Sequence, residues 1–367
     1  MSRNGIRQYP KDMLNLSRPT GLILCGMGGP DRPEAVRPFL RNLFADPAIF
    51  PLPRLIAPIV GAMIARKRSA AVAERYLLMD PAGATPQLQF TRDQAALIAQ
   101  RLAHRLSGAP VLSAAAMRYW HPYPEETVAQ LLEQGAQQFV VVPTYPQFSP
   151  ATGGSTLDFV MKALQAQAPE ARVCTLPNWY SLDGYIENLS RPVIDQFLAW
   201  ASEGARPETC ALIYVAHSMP MSFIKKGDPY EKLTRATVAL VHAKVKAALS
   251  AAGHGDWLAG LLSDPEYPVA YQSKVGPIKW LEPGVEPETM RLAQAGCRRL
   301  MVQPISFVCD HIETLVELDI ELKEEAEAAG ITQFSRGAAL NLQAEWMDAM
   351  AAKIAVKAFG AEVRSHV

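Results

Sequence analysis

An imidazole and two carboxylates stand close together in the chain, at Asp310, His311 and Glu313. They follow an apolar stretch with strand character, Arg299 to Val302. Open α/β sheets place their ligand-binding crevice beyond the carboxyl ends of the strands. Side chains of these types at such a place can accept protons or bind a metal ion. The run therefore predicts a site of proton or cation chemistry.

More acids follow at three- and four-residue steps, which on a helix gives one carboxylate stripe. The stripe starts at Asp310 and continues through Glu313, Glu317, Glu321 and Glu324. The opposite, apolar face carries Ile312, Leu315, Leu318 and Leu322. Such a stripe could pass a hard or borderline cation along its length. The alternative is the solvated face of an ordinary amphipathic helix.

A second histidine lies at the end of another strand-like run. Ala211 to Ala216 is almost wholly apolar, His217 follows it directly, and Pro220 stops the strand. A histidine at the carboxyl end of a strand usually points into a crevice. The alternative is a structural histidine that hydrogen-bonds to backbone, and the spacing does not decide between the two.

Composition limits the class of protein. The chain has 367 residues, of which 49% are hydrophobic and 20% charged, so it is long enough for two packed lobes. Its formal net charge is zero. A protein whose main partner is DNA or RNA needs a basic surface, so we exclude that role.

The cysteines predict a reducing compartment. Five are scattered through the chain, they form no CxxC pair, and no secretory leader precedes them: Cys25, Cys174, Cys210, Cys297 and Cys309. We expect them to be small buried side chains in a cytoplasmic protein.

The apolar segment near Leu55 is too short to span a bilayer, which takes about 20 apolar residues. It extends from about residue 49 to 65 and ends at the basic cluster Arg66-Lys67-Arg68. Apolar residues beside basic ones suit a segment in a membrane interface. The alternatives are a buried helix and loop, with prolines that break any long pattern, or a lip around an apolar ligand.

Strand-like and helical stretches alternate along the chain, which predicts parallel sheets covered by helices. The strand-like runs are Leu22 to Cys25, Val111 to Ala115, Phe139 to Val142, Leu212 to Val215, Val269 to Tyr271 and Arg299 to Val302. The helical runs are Thr91 to Arg105, Glu125 to Gly135 and Tyr230 to Ala252.

The alternation occurs twice, as an internal repeat. Met27 lies six residues after Gly21, at the start of one run, and His217 lies six residues after Ala211, at the start of the other. Likewise, Gly135 lies eight residues before Pro143 and Gly296 lies eight residues before Pro304. The first half is longer, and the apolar segment lies within its extra length. We expect an α/β fold of two similar Rossmann-like lobes, with the active-site cleft between them and the insertion as its lip.

Six stretches resemble the ferrochelatases, and the resemblance extends from about Gly21 to Ile354. They are Met27 to Pro30; Arg118 to Pro122; Pro143 to Ser149; Ala216 to Pro220 with Lys226 to Tyr230; Tyr271 to Pro277 with Trp280-Leu281; and Ser306 to Asp319. The His-Ser-Met-Pro and Lys-Val-Gly-Pro forms are closer to the mitochondrial and proteobacterial branch.

The resemblance implies a chelatase-like fold and a lyase of haem biosynthesis that inserts Fe²⁺ into protoporphyrin IX and releases two protons. It implies an N-terminal lobe at 19–178 with a porphyrin-binding lip at about 45–90. A C-terminal lobe at 205–330 would carry the catalytic groups, and a helical segment at 331–358 would pack back on the lobes.

The resemblance also assigns roles. His217 would take pyrrole protons, and Glu313 would relay them or be the first ligand of the arriving iron. Iron would meet His217, Glu313, Glu317 and Glu321. The porphyrin would contact Met27, Arg118, Tyr119, Tyr145, Trp280 and His311. Of these, His311 could simply orient Glu313, as outer-shell groups do.

The chain departs from the family at two places. The turn Ser149-Pro150-Ala151 and the tail after Lys357 lack the cysteines that hold a two-iron two-sulfur cluster in animal members. We expect no such cluster and no permanently bound cofactor, and a monomer is favoured. The stretch Tyr76 to Pro81, which includes Leu77 and Leu78, stands where animal members have two arginines and a glycine run, so propionate binding by those arginines does not transfer.

Other functions compatible with the residues are a non-catalytic porphyrin or haem carrier, and a chelatase for another metal or tetrapyrrole, such as coproporphyrin III or sirohydrochlorin with cobalt. Convergent titratable groups in one cleft favour an enzyme over a carrier. We expect a cytoplasmic protein that visits the inner face of the cytoplasmic membrane.

Overall fold

The structure is a computed structural model that describes residues 8–49, 53, 55–264, 266, 268–276 and 278–361. The chain forms two compact units. One comprises the described residues of Met1–Trp179 and Met347–Val367, and the other is Tyr180–Trp346. The boundaries expected for two lobes and a C-terminal segment stay predictions.

The first unit contains a parallel sheet of four strands, in the order β2-β1-β3-β4. The strands are β1 (Thr20–Gly26), β2 (Val111–Met117), β3 (Gln138–Pro143) and β4 (Arg172–Thr175). The helices are α1 (Val36–Phe44), α2 (Ala57–Met79), α3 (Gln87–Arg105), α4 (Pro124–Glu133) and α5 (Ser155–Gln167). Buried Ile23, Phe139 and Leu157 belong to the core on one face of this sheet.

The second unit repeats this plan, with four parallel strands in the order β6-β5-β7-β8. The strands are β5 (Cys210–His217), β6 (Val269–Gln272), β7 (Arg299–Pro304) and β8 (Gln333–Arg336). The helices are α6 (Asp183–Ser202), α7 (Met221–Lys225), α8 (Tyr230–Ala251), α9 (Trp257–Gly260), α10 (Val285–Gln294), α11 (Ile312–Leu315) and α12 (Lys323–Ala328). A last helix, α13, is Ala344–Phe359.

The strand register confirms the predicted repeat. Cys25 of β1 pairs with Pro143 of β3, and Val215 of β5 pairs with Pro304 of β7. These are equivalent positions of the two halves, so the sheets share their register as well as their strand order. All six predicted strands and the three predicted helices are confirmed. The strands β4 and β8, at one edge of each sheet, were not predicted.

The insertion in the first half, predicted at about 45–90, contains α2. Pro58 lies in the first turn of α2, where proline is compatible with a helix, so it begins this helix and does not break it. Among the described residues no helix is long and apolar enough to cross a membrane. Phe50, Pro51, Leu52 and Arg54 of the apolar segment lie outside the described residues.

The predicted carboxylate stripe needs a correction. The segment is helical, but a π-helical turn, Glu317–Leu322, separates α11 from α12. In this turn the Glu321 amide donates to the carbonyl of Val316, which is the wider spacing of a π-helix. Asp310 precedes α11, so it is not on the helix. The wider turn changes which acids share a face, and regular α-helical spacing could not predict that.

Candidate active site

The carboxyl edge of the second sheet carries the histidine that the sequence singled out. The strand β5 lies between β6 and β7, where the direction of the chain connections reverses, and open sheets bind ligands at that point. His217 is the last residue of β5 and pairs with Gln272, the last residue of β6. The fold therefore places the His217 side chain at the edge where a ligand site is expected.

Hydrogen bonds fix the His217 ring. Its Nδ1 lies 2.7 Å from the carbonyl oxygen of Ser218, which can only accept, so Nδ1 carries the hydrogen. In the neutral imidazole this leaves the lone pair on Nε2. The backbone is held too, because the His217 amide donates to Ser306 Oγ and the Tyr230 hydroxyl donates to the His217 carbonyl. The half-buried ring is thus set to accept a proton at one defined atom.

His311 and Glu313 form a buried pair, with relative exposures of 5% and 9%. His311 Nε2 lies 3.2 Å from Glu313 Oε2. The contact lacks hydrogen-bond geometry, and Glu313 Oε2 has no hydrogen-bond partner among the described residues. His311 Nδ1, the other ring nitrogen, also has none among them. Burial lowers the pKa of His311, against the opposing effect of Glu313, so this imidazole is neutral at neutral pH. Glu313 therefore keeps an unpartnered oxygen beside an uncharged ring.

Phe307 lies between the two histidines. Its ring centroid is 6.4 Å from that of His217 and 4.3 Å from that of His311, and both contacts are edge-on. Aromatic pairs prefer such edge-to-face geometry. The ring therefore gives this edge of the sheet an apolar surface between its polar groups.

Glu317 is tied to the end of β6. Its Oε2 accepts from Gln272 Nε2 at 2.8 Å and from Ser273 Oγ at 2.5 Å. The same Gln272 amide donates to the carbonyl of Glu313. Glu321 is half-buried and Glu324 is exposed, so the acids become more exposed with distance from the sheet edge.

Arg336 is a residue that the sequence did not reveal. It donates to both carboxylate oxygens of Asp319, at 2.6 and 2.8 Å, and to Asp310 at 3.1 Å. Asp310 also accepts from Thr314 and Asn341. Arg336 lies on β8, an unpredicted strand, so no motif pointed to it. It neutralises the acids on both sides of the Glu313 turn, and Asp310 is a structural group.

The carboxyl edge of the first sheet has different chemistry. Met27 follows β1 and is half-buried, and its carbonyl accepts from the Tyr119 amide. Arg118 is buried and ion-paired to Asp46, which also accepts from the Tyr119 hydroxyl at 2.9 Å. Burial raises the pKa of Tyr119 well above its usual value. Tyr145 is half-buried just beyond β3. The sequence did not reveal Asp46, which neutralises the predicted cationic wall group.

The other predicted groups lie on the second unit. Trp280 forms an antiparallel bridge with Pro220, which lies three residues after His217 in the chain. Pro277, which belongs to the same sequence motif as Trp280, lies outside the described residues. In the part of the chain that the structure describes, no group of three or more His, Cys, Asp or Glu side chains is arranged to hold a metal ion. Contact of iron with His217, Glu313, Glu317 and Glu321 in turn stays a prediction.

The second unit thus combines an imidazole of fixed tautomer and a buried carboxyl group near the carboxyl edge of a parallel sheet, and the first unit repeats the plan of that sheet. The family model of the ferrochelatases matches residues 19–358. The chain therefore belongs to the ferrochelatase family.

Curated relatives agree with this assignment. The chain is 35% identical over 339 residues to a ferrochelatase of Hyphomonas neptunium, covering 92% of this chain and 88% of the relative. It is 37% identical over 337 residues to a ferrochelatase of Gloeothece citriformis, covering 90% of this chain and 80% of the relative.

Among solved structures, the chain aligns with that of CbiX, the terminal enzyme for biosynthesis of siroheme in denitrifying bacteria. That match has 14% identity and a TM-score of 0.45, and it covers 92% of this chain and 99% of the other.

Proposed function

We propose that this protein inserts Fe²⁺ into protoporphyrin IX, the last step of haem biosynthesis. Family membership supports the reaction type. The observation that carries the proposal is the His217 hydrogen bond to the Ser218 carbonyl, which leaves Nε2 as the proton-accepting atom. Metal insertion replaces two pyrrole N–H bonds by N–Fe bonds, so the enzyme must remove two protons from the ring.

His217 takes a pyrrole proton on Nε2 in this proposal. An ordinary imidazole has a pKa of about 6.5, so its neutral form is a competent acceptor at neutral pH. The positive charge that develops is stabilised where Nδ1–H meets the Ser218 carbonyl. Ser306 and Tyr230 hold the backbone of His217, so the ring keeps its direction while the proton moves.

Glu313 relays the proton onward. Its unpartnered Oε2 has a place for a proton, and the neutral His311 beside it adds no positive charge. Glu317 and Glu321 follow towards solvent, and their increasing exposure supports a path for protons or for iron as substrate. Glu317 is anchored by Gln272 and Ser273, which suits a fixed station on that path.

The first unit supplies porphyrin-binding surface in this proposal. Met27 offers a polarizable thioether, which packs well against a flat π-system. Tyr119 and Tyr145 line the same sheet edge. On the second unit, Trp280 is the predicted aromatic contact of the porphyrin. Arg118 acts through its pairing with Asp46, which holds the Tyr119 hydroxyl in place.

We also propose that the protein carries no iron–sulfur cluster. A cluster of that kind needs four cysteines within reach of one another. Cys25, Cys174 and Cys210 belong to three different strands. All five cysteines are buried.

The insertion makes peripheral membrane contact in this proposal. Leu55 is 89% exposed, and Ile56, Ile59 and Met63 are also exposed at the start of α2. Leu77 and Leu78 are exposed at its other end. An apolar surface beside Arg66-Lys67-Arg68 suits an anionic lipid interface. Replacing Leu55 and Ile56 by aspartate should reduce co-sedimentation with anionic liposomes and leave turnover of detergent-dispersed porphyrin unchanged. Undiminished sedimentation would contradict this contact.

Anaerobic insertion of Fe²⁺ into protoporphyrin IX, followed by the loss of porphyrin fluorescence, tests the main proposal. The native protein should turn over, whereas His217→Ala and Glu313→Gln should bind porphyrin and lose nearly all turnover. A Glu313 variant that raises the KM for iron with little loss of kcat would make Glu313 an iron ligand. Tight binding without turnover by the native protein would favour a carrier, and turnover only with cobalt or with coproporphyrin would favour another chelatase.

A further inference from the structure

The carboxylates of the proposed substrate need a binding site that the predicted residues do not supply. Protoporphyrin IX is an apolar plate with two propionates on one edge. Arg118 is buried and neutralised by Asp46. Leu77 and Leu78, on the insertion, are apolar and exposed. Neither place leaves a free cation for a carboxylate.

A cavity of about 550 Å³ lies in the second unit, in the stretch of chain that follows His217. Two hydrogen bonds build its wall, because the Met221 amide donates to the Lys279 carbonyl and the Leu281 amide donates to the Met219 carbonyl. The two paired segments, Met219–Met221 and Lys279–Leu281, follow strands β5 and β6 in the chain. Those strands end at His217 and Gln272, which are partners in the sheet. The cavity is therefore connected by backbone pairing to the proton-accepting residue.

The lining of the cavity suits an amphipathic anion. Met221, Ile278, Trp280 and Leu281 supply apolar and aromatic surface. Ligand sites generally combine such surface with a few polar groups that fix orientation. Lys274 and Lys279 supply the cations here.

The positive charges of the two lysines are not neutralised by nearby acids. Lys279 is exposed, and no ion pair to it occurs within the described part of the chain. Lys274 Nζ is 3.8 Å from Glu282, whose side chain is 79% exposed, so the pair is loose and screened. The other acid of the lining, Glu231, is paired with Arg235 at 3.0 Å. A carboxylate entering the cavity thus finds positive charge that the protein has not already neutralised.

We infer that Lys279, with Lys274 beside it, binds the propionate carboxylates of the tetrapyrrole, while Trp280 contacts the edge of the ring. The inference rests on the proposed function, because it takes that substrate as the ligand. It makes these lysines positioning and specificity-determining residues, which select a tetrapyrrole with free carboxylates on one edge.

The test compares protoporphyrin IX with its dimethyl ester, which keeps the ring and lacks both negative charges. Dissociation constants come from the change in porphyrin fluorescence in detergent, for the native protein, Lys279→Ala, Lys274→Ala and the double variant. Lys246→Ala is the matched control, because this lysine is exposed on α8 and does not line the cavity. Lys279→Arg tests whether the charge suffices.

Removing Lys279 should weaken binding of protoporphyrin about 3- to 10-fold, as expected for a partly exposed charge-assisted contact, and change binding of the ester less than about 2-fold. Lys279→Arg should restore most of the difference, and Lys246→Ala should have no effect. Equal weakening for both porphyrins, or none for either, would overturn the inference. Binding is measured without iron, so a carboxylate-specific effect in a protein that fails to insert iron would refute the proposed function and leave this site standing.

Discussion

The carboxyl edges of the two sheets have the same backbone and different chemistry. Met27 and His217 occupy equivalent positions at the carboxyl ends of strands that share one register. The first edge presents a thioether and a tyrosine beside a buried Arg118–Asp46 pair. The second presents an imidazole with a fixed tautomer and a buried carboxyl group. The repeated fold thus provides two equivalent positions that differ in their side chains, and the proposed function assigns packing to one and proton transfer to the other.

Replacing the two equivalent residues gives the largest expected contrast. His217→Ala removes the proton acceptor, so kcat should fall by about 10²- to 10⁴-fold, the usual contribution of general acid–base catalysis. Met27→Ala removes only packing against the ring, so the porphyrin KM should rise by no more than about 10-fold with kcat nearly unchanged. Steady-state iron insertion measures both constants. A comparable loss of kcat in the two variants would show that the edges are not divided as proposed.

Arg336 pairs with Asp310 and Asp319, the acids on both sides of the Glu313 turn at the second edge. Arg336→Met leaves Asp310 and Asp319 without their cation in a largely buried place, so the free energy of unfolding should fall by about 3 kcal/mol. Arg291→Met is the control, because its pair with Glu288 is half-exposed and its loss should cost less than about 1 kcal/mol. Urea titration followed by circular dichroism measures both. Equal losses in the two variants would mean that Arg336 does not hold this turn.

The pH dependence of stability isolates His311, which has no equivalent at the first edge. Burial lowers its pKa in the folded protein below the 6.5 of an ordinary histidine, with Glu313 opposing the shift. As the pH falls below about 6.5, the unfolded chain binds a proton that the folded chain resists, so stability decreases. Above about pH 6.5, His311 is neutral in both states and its contribution to the free energy of unfolding no longer changes with pH. Urea midpoints between about pH 7.5 and pH 5.5 should therefore fall less steeply for His311→Gln than for the native protein.

A matching slope in the His311→Gln variant would assign the acid sensitivity to other groups. Asp310 and Glu313 are the acids that act on His311, and both favour its protonated form. Replacing Glu313 by Gln should therefore steepen the loss of stability on acidification, because the opposing charge is removed. The two variants thus shift the pH dependence in opposite directions.

The sequence predicted the repeated α/β plan and the catalytic candidates because both depend on local patterns. Apolar runs marked the central strands, and strand ends marked His217 and the turn at Glu313. The partners Asp46 and Arg336 escaped notice because each reaches its partner through long-range contacts, from Asp46 to Arg118 and from Arg336 to Asp310. The π-helical turn at Glu317–Leu322 was missed because regular helical spacing was assumed.

The smallest predicted effect tests the equivalence of the two halves directly. Gly135 follows α4 and Gly296 follows α10 with nearly equal φ angles, +94° and +97°, and a Cβ at either would meet nothing within 4 Å. The cost of alanine there is therefore backbone strain alone, about 1 kcal/mol at each position. Equal shifts in the urea midpoints of Gly135→Ala and Gly296→Ala would show that the two turns are physically the same. A much larger loss at one glycine would show that the shared backbone plan does not give equal stability to the two halves.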